Sequence, residues 1–170
     1  MQETPQQYTQ RLLNNMEGQD PLRLQQTAAK KLATLLRGKK KSQLTRRPAP
    51  GKWSVAEIVA HLADVEVVVS WRLRQALTSN GASIQAYDPD AWANTFKYAR
   101  HNVKDSLERY RILRESNVAL LKSIPKPLWD NYVVHQERGN ETVTHMVRLY
   151  AGHDVNHLEQ VGRILQQAKG

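Results

Sequence analysis

Residues 51–81, "GKWSVAEIVAHLADVEVVVSWRLRQALTSNG", decide the fold. Ser54 and Glu57 form an S-x-x-E capping box at the head of an apolar series, Val55, Ile58, Val59, Leu62, Val65 and Val69, that recurs every three or four residues. The spacing predicts a helix from about Ser54 to about Ser79, stopped by the Ser-Asn-Gly breaker at 79–81. Such a long helix with an apolar stripe needs partners of similar length, and the flanking sequence offers them.

Upstream, "DPLRLQQTAAKKLATLLRG" (20–38) has Leu22, Leu24, Ala28, Leu32, Leu35 and Leu36 at helical spacings, with Asp20 as N-cap, Pro21 in the first turn and Gly38 beyond the end. Downstream, Leu107, Tyr110, Leu113, Leu120 and Leu121 predict a helix from about Val103 to Ser123, closed by "IPKP". A last helix opens at Thr142 and runs almost to the C-terminus. Between these, residues 82–100 read as irregular, with Pro89 and a short turn through Trp92, and 128–143 have brief β-like character. Four long helices without a convincing strand set predict an all-α fold, a four-helix bundle with long connections spanning residues 20–170, with residues 1–19 as an N-terminal extension of helical potential.

Bulk composition narrows the chemistry. A chain of 170 residues, 40% of them hydrophobic, fits one domain with a core that needs no disulfides. With no cysteine, the chain has no thiolate metal ligand, nucleophilic thiol or disulfide framework of its own, and any thiol chemistry must use an outside thiol. The polar start "MQETPQQYTQ" has no leader pattern, and no apolar run approaches the roughly 20 residues that span a bilayer, so a cytoplasmic protein with no membrane partner is expected. The net charge of +9 is local. Residues 23–52 hold ten of the 25 basic residues and no acid, whereas the other 15 face all 16 acidic residues. The segment centred on "RGKKKSQLTRRPAPGK" (37–52) is either a solvated connection between helices or a site for an anionic partner such as nucleic acid or an acidic thiol.

The C-terminal stretch "YAGHDVNHLEQVGRIL" (150–165) carries the chemistry. At 100° per residue, Val143, Met146, Val147, Tyr150, Leu158, Val161, Ile164 and Leu165 share one arc, and His153 and His157 fall inside it. The i, i+4 spacing brings their Cβ atoms to about 6 Å, near enough for both rings to reach one ion. Asp154 lies in the same arc, placed to orient a ligating ring. On the 54–79 helix, His61 sits at the edge of the apolar stripe and could complete a three-histidine site across the bundle. Spacing alone leaves two readings open, metal ligands or hydrogen-bonded core histidines. His101, His135 and His145, in or near loops and a helix start, are expected at the surface. "HDVNH" also resembles the H-E-x-x-H helix of zinc proteases, but Asp is one methylene shorter than Glu, and the thirteen residues after His157 contain only Glu159 as a downstream carboxylate side chain.

"GKWSVAEIVAHLADVE", followed some ninety residues later by a Thr-Val helix start and "GHDVNHLEQVGRIL", resembles the DinB-like superfamily, the damage-inducible four-helix bundles related to bacillithiol S-transferases. The resemblance runs from about Asp20 to Ala168 and is sharpest at W-S-x-x-E-x-x-x-H-L and H-D-x-x-H-L. Carried over by those motifs, the ligands of a divalent metal, zinc or nickel, fall on His61, His153 and His157. The resemblance further implies a homodimer and an enzyme acting through a low-molecular-weight thiol on a small electrophile, or a metal-dependent hydrolase or isomerase. It points to no catalytic residue beyond the ligand set. A nucleic-acid or anion-binding module using 37–52 and a structural bundle with a vestigial site are the competing readings.

Overall fold

The computed structural model describes residues 3–168. Seven helices follow in chain order, α1 (Pro5–Asn14), α2 (Pro21–Leu36), α3 (Lys41–Thr45), α4 (Val55–Thr78), α5 (Pro89–Thr95), α6 (Val103–Ser123) and α7 (Val143–Gln167), with three short strands, β1 (Ala82–Ile84), β2 (Tyr132–His135) and β3 (Gly139–Thr142). The four long helices α2, α4, α6 and α7 form the bundle, and α2, α4 and α7 start where their caps predict. The Asp20 side chain accepts from the amides of Leu22 and Arg23, Ser54 and Glu57 close the reciprocal capping box, and Thr142 accepts from His145. Both α2 and α4 pack against α6 and α7, so α2 and α4 occupy diagonal corners.

The core falls into two apolar halves. Toward one end, Ala28, Leu32, Val55, Val59, Leu62, Tyr110, Val161 and Leu165 pack together. Toward the other, Val65, Val69, Leu73, Val133, Met146 and Val147 do the same. Between them α4 and α7 bury polar side chains: His61 and Glu66 on the first, His153, Asp154 and His157 on the second. A bundle core that places polar groups at its waist must satisfy them or bind something there.

Two features go beyond the sequence expectation. The irregular connections pair into a small sheet in the order β1-β2-β3, parallel between β1 and β2 and antiparallel between β2 and β3, with Ala82 opposite Val133 and His135 opposite Gly139. Strands of three or four residues carry too little periodicity to be told from loops. In the N-terminal segment, α1 lies along α7, burying Leu12 and Met16 and bonding Arg11 to Asn156 at 2.8 Å. The approach is closest at Gly152, where a Cβ would stand 2.1 Å from the carbonyl oxygen of Leu12. The glycine inside "YAGHDVNH" is therefore the notch that seats α1.

No described helix is long and apolar enough to cross a membrane. The basic segment 37–52 folds as the α2–α4 connection around α3, where Arg47 pairs with Glu57 and Lys40, Lys41, Arg46 and Lys52 are exposed.

Candidate metal centre

The Ser54–Glu57 capping box fixes where α4 begins and the Thr142 cap where α7 begins, and this sets the height of the three histidines in the bundle. His61, His153 and His157 are 6%, 8% and 7% exposed and converge through their Nε2 atoms. His153 Nε2 lies 3.2 Å from His61 Nε2 and 3.1 Å from His157 Nε2, and one ligand atom from each residue falls within 4.8 Å of the others. Nitrogens bound at about 2.0 to 2.1 Å to one tetrahedral ion stand about 3.3 Å apart, so these separations fit a shared cation.

Protonation sharpens the fit. Burial holds all three rings well below the ordinary histidine pKa, with His157 adding to the effect at His61 and both other rings adding to it at His153. His157 is lowered to about 4 by burial, partly offset by its hydrogen bond to Gln160. All three are neutral at pH 7. Nδ1–H of His157 donates to Gln160 Oε1 at 2.8 Å, which leaves its Nε2 as a lone pair. A single proton on His153 Nε2 cannot lie along both of its short contacts, so the cluster keeps unmet lone pairs that a cation would satisfy. Gln160, three residues beyond His157 in chain order, is the group that orients a ring.

Asp154 does not play that part. Its carboxylate accepts from the Tyr110 hydroxyl at 2.8 Å and from both terminal nitrogens of Arg114, one of them at 3.0 Å. Arg114 also reaches Glu66 at 2.6 Å, and Asn117 Nδ2 donates to the other Glu66 oxygen at 3.0 Å. The expectation that Asp154 orients a histidine is corrected: a buried guanidinium on α6, Arg114, claims it. The expectation of a surface His135 is also corrected. It is 2% exposed because it ends β2 on the side facing the core, where burial, with Arg138 and Arg72 nearby, lowers its pKa to about 4. His101 and His145 are half-buried.

The imidazoles open onto a cleft of about 530 Å³, within the size range of small-molecule sites. Trp53, the tryptophan of the W-S-x-x-E motif, packs on His61 with ring centroids 4.9 Å apart. Val65, Arg72 and Tyr150 continue the floor, while Tyr8 and Leu12 of α1, Tyr87 and Arg138 form the walls. Burial raises the hydroxyls of Tyr8 and Tyr87, keeping both as neutral donors. None of residues 37–52 lines this cleft. Sequence reading missed Arg72, Tyr87 and Gln160, yet Arg72 carried a signal: eleven residues after His61, it returns to nearly the same face of α4.

A helical bundle with three neutral imidazoles gathered at its waist, open to a cleft, belongs to the class of bundles that build metal sites from facing helices. The particular family is defined by comparison: residues 23–161 match the DinB superfamily model, and the chain belongs to that superfamily. Similar proteins include two from Oceanobacillus iheyensis, each named by inference a metal-dependent hydrolase. One is 27% identical over 119 residues (70% of this chain, 69% of the relative), the other 27% over 128 residues (75% and 73%). A Geobacillus kaustophilus protein with the same inferred name is 28% identical over 140 residues (82% and 78%). In fold, the chain is similar to YfiT from Bacillus subtilis, described as a four-helix bundle of unusual topology, with a TM-score of 0.82 and 20% identity over 98% of this chain and 90% of that one.

Proposed function

We propose that His61, His153 and His157 hold one divalent ion, zinc or nickel, and that the protein is a metal-dependent enzyme that activates a low-molecular-weight thiol for transfer to a small electrophile. The observation that carries this reading is the convergence of three neutral Nε2 atoms at the head of a cleft. When bound there, a divalent ion supplies the Lewis acidity that brings a coordinated thiol or water toward its anion at neutral pH.

The chain's own residues shape what that ion can do. Three protein ligands leave coordination positions free for a reactant on the cleft side. Gln160 fixes the His157 tautomer, and Trp53 holds the His61 ring in place. The α1 helix contributes Tyr8 and Leu12 to the cleft wall. Both oxygens of Asp154 are occupied, and the carboxylates that line the cleft, Glu3, Asp90 and Glu137, are exposed. A nucleophile that needs no carboxylate base suits this arrangement, and a thiol is the more acidic candidate. The names of the relatives support hydrolysis by water as the second reading.

The test incubates protein reconstituted with zinc or nickel with cysteine or glutathione and 1-chloro-2,4-dinitrobenzene, and in parallel with p-nitrophenyl acetate without thiol. Thioether formation that requires the metal and disappears in His153→Ala is expected. Metal-dependent ester cleavage without thioether formation would favour hydrolysis, and rates independent of both metal and His153 would overturn both readings.

A further inference from the structure

Arg72 lines the floor of the same cleft with no counterion. It stands on the face of α4 that carries His61, about 16 Å further along the axis. It is only 4% exposed. Its Nη1 donates to the Tyr150 hydroxyl at 2.9 Å, and its Nη2 donates to the Gln85 carbonyl at 2.9 Å and lies 3.2 Å from His135 Nε2. All three partners are neutral, the last because burial and the two nearby arginines suppress its protonation. The ring of Tyr87 lies 5.9 Å from the guanidinium carbon.

Among the described residues, no carboxylate comes within ion-pair distance of Arg72, and its Nε–H and second Nη1–H have no partner. The neighbouring Arg138 differs, because Glu141 holds it through two contacts of 2.6 and 3.0 Å. Glu3 is taken by Arg11, and Asp90 and Glu137 are exposed at the mouth of the cleft. A buried cation without a counterion is costly unless something supplies the negative charge. One surplus positive charge, with a tyrosine hydroxyl beside it, matches a monoanion better than a dianion.

We propose that the substrate handled at the three-histidine site is a small carboxylic acid, its carboxylate held by Arg72 and the Tyr150 hydroxyl while its reacting atom, several bonds away, faces His61, His153 and His157. Tyr150 accepts from Arg72 and is free to donate its own proton to the carboxylate. The apolar stretch between, with Val65 and Tyr87, takes the spacer. The substrate class rests on the metal-enzyme reading; the anion site itself does not.

The test is calorimetric titration of metal-free and zinc-loaded protein with 4-phenylbutyrate, with 4-phenyl-1-butanol and with the phosphate monoester of that alcohol. The carboxylate is expected to bind about tenfold tighter than the alcohol in both forms, an advantage typical of a buried charge-assisted pair. It should also bind tighter than the phosphate. Arg72→Gln is expected to erase the advantage while leaving the alcohol's affinity unchanged, and Arg72→Lys to retain part of it. Equal affinities for carboxylate and alcohol in the unmutated protein, no binding of either, or an advantage that survives Arg72→Gln would overturn the proposal. Preference for the phosphate would replace the carboxylic acid with a phosphate ester. The unmutated protein decides the matter even if Arg72→Gln fails to fold. Because the metal-free arm needs no ion, a lost preference leaves the metal reading standing, and absent zinc binding leaves the carboxylate result interpretable.

Discussion

His153 and Asp154 are neighbours in the chain, both buried at the waist of the bundle, and they belong to opposite kinds of site. Asp154 joins Arg114, Glu66, Tyr110 and Asn117 in a network where one guanidinium lies between two carboxylates and every carboxylate oxygen has a donor. His153 joins His61 and His157, where three ring nitrogens meet and a proton on His153 Nε2 could serve only one of its two neighbours. A closed polar cluster locks helices together, and an open one facing a cleft waits for a ligand. The same contrast repeats between Arg138, matched by Glu141, and Arg72, which is not.

The comparison predicts where mutations act. Arg114→Met should have the largest effect on folding, about 3 to 5 kcal/mol lost in urea denaturation, because it strands two buried carboxylates. A loss near zero would show that the network is not the lock described. Gly152→Ala comes next, at about 1 to 3 kcal/mol, since a methyl group cannot share space with the Leu12 carbonyl. In the same variant α1 should lift from α7, and limited proteolysis should cut before residue 20. Gln160→Ala should leave folding nearly unchanged but weaken metal affinity about tenfold to a hundredfold, measured against a chelator. Unaltered affinity would remove Gln160 from the site.

Acid should expose the open cluster first. Rings buried neutral, such as His135 and His157 at about 4, are protonated in the unfolded chain below the ordinary value of 6.5 but not in the folded one. The contribution of these rings to the stability of the metal-free protein is thus full above pH 6.5 and declines as pH falls below it, His135 and His157 adding to the slope down to about pH 4. Thermal denaturation should show this slope, with His157→Gln reducing it; an unchanged slope would contradict the burial argument.

The sequence made the frame legible because helix starts are written locally. Asp20 with Pro21, Ser54 with Glu57, and Thr142 each mark a boundary within three residues of themselves. The two-helix spacing of the histidines was legible for the same reason, and the structure brings all three together. Asp154 misled because a wheel shows which way a side chain points and not who meets it; Arg114 comes from 40 residues away. His135 was hidden by a parallel pairing across some fifty residues, which no local pattern encodes. Arg72 looked like an ordinary charged residue until its lack of a carboxylate could be seen.

Whether the histidine cluster is open for a cation is decided by elemental analysis of protein purified without a histidine tag and equilibrated with micromolar zinc or nickel. About one tightly held ion per chain is expected, lost in His153→Ala while the helical circular dichroism spectrum is kept. A folded His153→Ala variant that retains the ion, or an unmutated protein that takes up none, would contradict it.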